Sequence, residues 1–241
     1  DRLGGHRVTA KRSKAAALAM LMAGAFCAGA WLLISPIFEK QRMLDRQAEL
    51  LDSISNGSGV IALEESFPAG YVDFYDMGGV IFTAQAELPQ EEPAPAALEV
   101  TGTGILIIGR IDAVLPVTDG VSETQLKVAV GHVPQTAPLG GEGNAVIAGH
   151  RSYTYGHFFN RLGEVSAGDL IQYEDKSGAA FTYEVFETLV IEPGDQAAFT
   201  QLEGERLLTL YTCTPIRKAT HRLLVRARLV DQIQIEMEES N

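Results

Sequence analysis

From residue 98 onward, short apolar runs alternate with clusters of glycine, proline, asparagine and aspartate. The runs are Gly104–Val114, Ala145–Ala148, Asp169–Tyr173, Ala180–Ile191, Leu207–Thr212 and Leu223–Leu229. Such runs, bounded by turn residues, are typical of the strands of a sandwich or a barrel. Short helical pieces are predicted between them at Glu123–Val130, His157–Leu162 and Gln196–Leu202. The pattern therefore predicts a mainly β domain over residues 98–231, followed by an acidic tail over residues 232–241.

A different pattern precedes this domain. Residues 15–34 are twenty positions without a charge, after a basic segment over residues 1–14. As a helix they would span ~30 Å, the thickness of a bilayer core. The basic flank and Trp31 predict a single-pass signal anchor with the N-terminus inside, the rest outside, and membrane lipid around the helix. A cleaved signal peptide, with small residues at Ala28–Ala30, and a buried helix are the alternatives.

The segment between the apolar stretch and the β domain, residues 35–97, has three parts. Residues 36–55 have apolar positions at helical spacing and predict a helix, either a stalk or a helix packed on the domain. Residues 60–83 mix aromatic residues with proline and glycine, as in a lid, a docking segment or a linker. Residues 84–97 are rich in proline, glutamate and alanine, which predicts an extended linker.

Composition narrows the range of functions. The 241 residues carry a net charge of −12, which argues against nucleic acid as the main partner. The two cysteines, Cys27 and Cys213, form no disulfide framework, because Cys27 lies inside the uncharged stretch.

Cys213 stands at the end of the run Leu207–Thr212, where a side chain can reach a surface groove. Five cations follow it within fifteen residues: Arg217, Lys218, Arg222, Arg226 and Arg228. Nearby positive charge favours thiolate, the nucleophilic form, so we expect these cations to lower the pKa of the thiol. A buried, inert cysteine is the alternative.

Histidine is the usual proton carrier beside a cysteine nucleophile. His150 follows the run Ala145–Ala148 and a glycine, which places it, like Cys213, at the end of a strand. The predicted topology excludes His6, which precedes the membrane segment. His132 is interpreted as structural, His157 as flanking a short helix, and His221 as lining the groove.

Four motifs in order resemble those of the sortases, membrane-anchored cysteine transpeptidases. They are T-L-Y-T-C over Thr209–Cys213, Arg222 nine residues later, A-G-H-R over Ala148–Arg151, and G-H-V-P over Gly131–Pro134. The resemblance implies an eight-stranded closed β-barrel preceded by the transmembrane helix and a helical stalk.

The resemblance also implies the chemistry. Cys213 would attack the threonine carbonyl of an L-P-x-T-G-like sorting signal, with His150 as proton carrier and Arg222 holding the substrate backbone or the oxyanion. Thr212 and His221 are predicted to contact the substrate. An amine from a cell-wall precursor or a pilin lysine would then accept the acyl group, so that surface proteins become attached to the wall.

Within the family, the chain resembles the class C and D members. The Asp-Pro-aromatic tripeptide of pilin-type lids does not occur in the sequence, so wall anchoring is favoured over pilus assembly. From another class, a membrane-tethered barrel that binds peptide without turnover remains open.

No cofactor is expected. Some sortases bind calcium, and the candidate ligands here, Glu174, Asp175 and Glu187, are chosen only by their charge. The cysteines and histidines do not have the spacing of a zinc site. The G-x-S-x-G motif of serine hydrolases does not occur. The stretch Leu115–Asp119, L-P-V-T-D, resembles a sorting signal itself and is interpreted as part of the barrel.

Overall fold

The computed structural model describes residues 40–63, 98–152 and 156–233, together with Met22, Ala25, Phe26, Trp31, Ser35, Ile37 and Phe38. The chain divides into two compact units, residues 1–45 and 46–241. In the first unit every described residue is helical. None of the helices in the described part of the chain is long and apolar enough to cross a membrane. All but four positions of the predicted anchor, residues 15–34, lie outside that part.

Nine strands build the second unit. They are β1 Val60–Leu63, β2 Leu98–Ile108, β3 Ala113–Asp119, β4 Val130–His132, β5 Gly143–Ala148, β6 Leu170–Asp175, β7 Ala180–Ile191, β8 Arg206–Thr214 and β9 His221–Ile233. Their order is β2-β3-β4-β5-β8-β9-β7-β6, and β6 pairs back onto β2. The predicted eight-stranded closed barrel is therefore confirmed, with β1 added to the first residues of β2.

Two parallel pairs, β3–β4 and β5–β8, interrupt the otherwise antiparallel barrel. Every residue of β5 is buried, and so are six of the nine residues of β8. Strands covered on both faces are expected to be continuously apolar, which is how these two runs look in the sequence. β5 and β8 are thus covered over most of their length, and their carboxyl ends point the same way.

The helix before β1 packs on the barrel. Within the second unit this helix, α1, covers residues 46–55. It buries Leu50 and Ile54 in a cluster with Ile61, Leu63, Val100, Val128 and Ala129. Gly102 of β2 makes room for it, because a Cβ there would lie 2.4 Å from the Ile54 side chain. The stalk interpretation is therefore wrong for residues 46–55, and the barrel unit begins before residue 98.

Several predicted boundaries change. The run Gly104–Val114 is two strands, because the 3₁₀ turn Gly109–Ile111 divides it and Asp112 adopts a left-handed φ of 52°. The predicted helix from Glu123 ends at Val128; this helix, α2, starts with a capping box between Ser122 and Gln125. Residues 157–162 form turns that lead into a 3₁₀ turn at Leu162–Glu164, and residues 196–202 are helical only at Gln196–Phe199.

Other predicted segments lie partly or wholly outside the residues that the structure describes. Strand β1 occupies the start of the 60–83 stretch, whereas the rest of that stretch and the linker 84–97 lie outside the described residues. The same holds for the acidic tail beyond Ile233. The segment resembling a sorting signal forms most of β3, where Leu115 and Val117 are 4% and 0% exposed, so its structural interpretation is confirmed.

Candidate active site at the ends of β5, β8 and β9

Cys213 and Arg222 face each other across the hairpin formed by β8 and β9. They are direct partners in the antiparallel ladder, followed by the pair Thr214 and His221. Side chains of directly paired residues lie on the same face of a sheet, with Cβ atoms about 4.5–5.5 Å apart. The separation of nine positions between Cys213 and Arg222 in the sequence therefore places them opposite each other in the hairpin.

His150 reaches the same edge from β5, which runs parallel to β8. Ala148 pairs with Tyr211, and the backbone N–H of Gly149 donates to the Tyr211 carbonyl oxygen at 3.1 Å. His150 and Cys213 each lie two residues beyond this pair. Cys213 near the end of β8 and His150 just beyond the end of β5 are therefore equally far along these two parallel strands.

The three predicted residues thus continue a row that crosses the sheet. The preceding row, Ala148, Tyr211 and Leu224, is buried against Val133 and Ala198. In the next row burial decreases: His150 and Cys213 are half-buried, while Arg222 keeps 6% of its surface exposed. The row of His150, Cys213 and Arg222 therefore lies where the covered part of the sheet meets solvent.

Arg222 is fixed by the loop that joins β8 to β9. Its Nη1 donates to the carbonyl oxygens of Ala219 and His221, at 3.0 and 3.1 Å. Such contacts hold the guanidinium near the entrance of the hairpin. A rigid fork of donors at this place is suited to binding a carbonyl oxygen or an oxyanion.

The thiol of Cys213 has a raised pKa. Burial is the largest cause, and the positive charges of Arg222 and Arg151 oppose it. The expectation of a lowered pKa is therefore wrong in its net direction. Arg217 and Lys218 are exposed to solvent, while Arg226 and Arg228 pair with Glu187 and Glu205.

The imidazole of His150 has a strongly lowered pKa of about 4. Burial is again the largest cause, while Glu123 raises the pKa and Lys127 lowers it, both from α2. The ring lies edge-on to Phe158, with 6.3 Å between ring centroids. At neutral pH the site therefore rests as a neutral imidazole and a protonated thiol.

His150, neutral because of its lowered pKa, should make the domain sensitive to acid. The unfolded chain regains the ordinary pKa of 6.5 and so binds more protons than the folded chain between about pH 4 and 6.5. We expect the free energy of unfolding to fall as the pH decreases through this window, by roughly 3 kcal/mol from this group alone. Urea unfolding of the wild type and of His150→Asn at both ends of the window measures it. The wild type should lose more stability than the variant, and equal losses would contradict the assignment.

Thr212 and His221, the predicted substrate contacts, lie on either side of this row. Thr212 is fully buried, and its hydroxyl donates to the Gly149 carbonyl oxygen at 2.7 Å, which ties β8 to the residue before His150. The half-exposed His221 has its Nε2 3.1 Å from a carboxylate oxygen of Glu192. Their contact with substrate stays a prediction.

His132 and His157 lie elsewhere. His132 places Nδ1 at 3.1 Å from Asp119 and Nε2 at 2.9 Å from the Ala137 carbonyl oxygen, so it links β3 and β4 to the following loop, and its structural interpretation is confirmed. His157 is 8% exposed and contacts the Phe158 ring edge-on.

Sequence reasoning gave no role to Arg151, which the structure brings to the backbone of Cys213. Its Nη1 donates to the Thr214 hydroxyl at 2.7 Å and lies 3.5 Å from the Cys213 carbonyl oxygen. The only signal for it was its place directly after His150.

Of the three carboxylates considered for calcium, Glu174 and Asp175 end β6 and Glu187 lies in β7. Asp175 accepts hydrogen bonds within its own turn from Ser177 and Ala179, and Glu187 pairs with Arg226. In the part of the chain that the structure describes, no metal ion could be held by three or more histidine, cysteine, aspartate or glutamate side chains.

Comparison with known proteins gives one family for most of the barrel. A family model described as the Sortase domain matches residues 106–230. The chain is 33% identical over 113 residues to sortase D of Bacillus subtilis, a match that covers 47% of this chain and 54% of the relative. It therefore spans about half the length of that curated relative.

Solved structures extend the similarity to the fold. A crystal structure of Streptococcus pneumoniae sortase C, which was analysed for catalysis and pilin substrate specificity, has a TM-score of 0.52 and 29% identity over 56% of this chain and 72% of that one. A Clostridium perfringens sortase D5 transpeptidase has a TM-score of 0.50 and 29% identity over 54% of this chain and 80% of that one.

Proposed function

Because the chain belongs to the sortase family, we propose that it is a cysteine transpeptidase that cleaves an L-P-x-T-G-like sorting signal between threonine and glycine. It then transfers the acyl group to an amine and thereby attaches surface proteins to the cell wall. The observation that carries this proposal is the single row of His150, Cys213 and Arg222 at the edge of the covered sheet.

In the first half-reaction the Cys213 sulfur attacks the threonine carbonyl carbon as its proton moves to His150. The neutral imidazole is suited to accept this proton, and the negative charge that forms stabilises the imidazolium. Arg222 then donates to the carbonyl oxygen as it becomes an oxyanion. The C–N bond breaks, His150 returns the proton to the leaving glycine amine, and a thioester remains.

In the second half-reaction an acceptor amine attacks the thioester carbonyl. His150 removes a proton from the attacking nitrogen, and the sulfur leaves as thiolate and is reprotonated. A new amide bond forms and the free enzyme returns. Release of the first product before the acceptor reacts predicts ping-pong kinetics.

The test is cleavage of fluorescent peptides that carry L-P-x-T-G variants, with and without an added amine. Turnover that stops after alkylation of Cys213 supports the proposal. Intact peptide across the whole set favours the other class, a barrel that binds peptide without turnover.

The acceptor separates wall anchoring from pilus assembly. Similarity to a sortase C studied with pilins favours a pilin lysine as the alternative acceptor, whereas the sequence has no Asp-Pro-aromatic tripeptide. Acyl transfer to a cell-wall precursor amine but not to a pilin domain supports anchoring, and the reverse preference supports polymerisation.

We also propose that residues 15–34 anchor the protein in the cell membrane, with the catalytic domain outside. Their uncharged composition supports this, as do the described apolar side chains among them: Met22, Phe26 and Trp31 are each at least 66% exposed. We expect the full chain to resist carbonate extraction from membranes and a chain lacking residues 1–35 to be released. Release of the full chain would contradict the anchor.

A further inference from the structure

A second guanidinium, on the loop that carries His150, links that loop to the end of β8. Arg151 donates from Nη1 to the Thr214 hydroxyl at 2.7 Å and from Nε to the Asn160 carbonyl oxygen at 3.4 Å. Its Nη1 also lies 3.5 Å from the carbonyl oxygen of Cys213. One side chain thus contacts the backbone of the thiol-bearing residue, its neighbour, and the far part of the histidine loop.

The loop holds Arg151 in place. Asn160 is 7% exposed, and its side-chain amide donates to the Ser152 carbonyl oxygen at 2.6 Å. The Phe159 N–H donates to the His150 carbonyl oxygen at 3.1 Å, which closes the loop onto its own start. Hydrogen bonds on both sides of Arg151 therefore restrict where its guanidinium can lie.

Gly163 supplies the space for this guanidinium. A Cβ at that position would lie 2.7 Å from Nη2 of Arg151. The contact is with the far end of a flexible side chain, so an alanine there would displace the guanidinium and leave the backbone intact. Gly163 thus offers a way to move Arg151 without replacing it.

The positive charge of Arg151 acts on the thiol. Arg222 and Arg151 are the charges that lower the pKa of Cys213 against its burial. The effect is mutual, since burial lowers the pKa of Arg151 and Cys213 raises it. Both guanidinium groups are held by loop carbonyl oxygens. They differ in what else they reach: Arg222 lies across the hairpin from Cys213, where substrate is proposed to bind, whereas Arg151 joins the His150 loop to Thr214.

We propose that Arg151 is a positioning residue that joins the His150 loop to the end of β8 and supplies the fixed positive charge that stabilises Cys213 as a thiolate. Arg222 is then available for the substrate carbonyl. The inference rests on the proposed function only in treating Cys213 as the nucleophile.

The test is the pH dependence of Cys213 alkylation by iodoacetamide, followed by peptide mass spectrometry so that Cys27 does not contribute. We expect Arg151→Gln to raise the midpoint by about one pH unit and to slow alkylation at neutral pH roughly tenfold, because a neighbouring charge shifts a pKa by this order. Arg151→Lys should recover part of the shift, since it keeps the charge and loses the fork. Gly163→Ala should move the midpoint in the same direction by less.

Two controls match these variants. Gly109→Ala adds the same methyl to the 3₁₀ turn Gly109–Ile111, where nothing lies within 4 Å of the added carbon. Arg217→Gln removes one charge from the exposed hairpin loop. Both should leave the alkylation midpoint unchanged.

An unchanged midpoint in Arg151→Gln overturns the proposal, even if the variant is less stable or cleaves peptide slowly, because a purely structural role would not move the titration. If Arg151→Gln fails to fold, Gly163→Ala decides: a raised midpoint supports the proposal and an unchanged one overturns it. Alkylation needs no sorting peptide, so a protein inactive towards every peptide still gives a result.

Discussion

Replacing Cys213 by alanine is expected to lower peptide cleavage and amine transfer at least roughly a thousandfold, because the acyl group then has no sulfur to which it can bind. The fold should persist. The side chain is half-buried at the open edge of the sheet. The backbone hydrogen bonds between β8 and β9 do not depend on it. Initial rates of cleavage of a fluorescent sorting peptide, with circular dichroism as a check on folding, measure this.

The matched control is the second cysteine. Cys27→Ala removes a thiol from the uncharged N-terminal stretch, far along the chain from the barrel, and should keep the wild-type rate. Cleavage by Cys213→Ala at a rate near that of the wild type would contradict the covalent mechanism. If Cys27→Ala lost activity and Cys213→Ala kept it, Cys27 and not Cys213 would be the reactive cysteine.

Arg222→Lys is expected to keep the fold and lose activity roughly a hundredfold, the effect of removing one donor to an oxyanion. Lysine preserves the positive charge beside Cys213, so the loss isolates the guanidinium fork. It also loses the geometry by which Nη1 contacts the carbonyl oxygens of Ala219 and His221. Because the fork acts in the transition state, the decrease should fall on kcat more than on KM.

Arg226→Lys is the control for this variant. Arg226 lies four residues further along β9, on the same face, and its Nη1 is 3.0 Å from Glu187. Lysine can keep that ion pair, so we expect near wild-type turnover. Equal activity in Arg222→Lys and wild type would show that the guanidinium of Arg222 has no role in the mechanism.

The parts of the fold that could be predicted are the long apolar runs. β7, β8 and β9 each extend over nine residues or more, and the runs that predicted them all fall within them. β1 and β4 were missed, because strands of four and three residues carry no readable alternation. The packing of α1 was left open, because helical spacing shows which face is apolar but not what covers it.

The candidate site was accessible from sequence where it depends on register. Cys213 and Arg222 are hairpin partners, and His150 lies two residues beyond the end of β5, which runs parallel to β8, so strand ends and motif order pointed to all three positions. The electrostatics were not accessible. Burial of the thiol outweighs its cations, and of the five arginines and lysines that follow Cys213 only Arg222 is among the charges that lower its pKa.

The pairing of Arg151 with Thr214 shows the same limit. The two residues lie 63 positions apart in the chain, and only the fold brings them to 2.7 Å. Sequence placed Arg151 beside His150 but gave no direction for its side chain. A loop that returns through Asn160 and leaves space at Gly163 is a property of three-dimensional packing.

The most direct measurement is the mass of the protein after brief incubation with a sorting-signal peptide and no acceptor amine, followed by acid quenching and peptide mapping. The mechanism predicts an adduct of the acyl fragment ending in threonine, bound to Cys213, sensitive to hydroxylamine and absent from Cys213→Ala. Peptide cleavage with no such adduct, or an adduct on another residue, would contradict the claim that this thiol forms the acyl-enzyme.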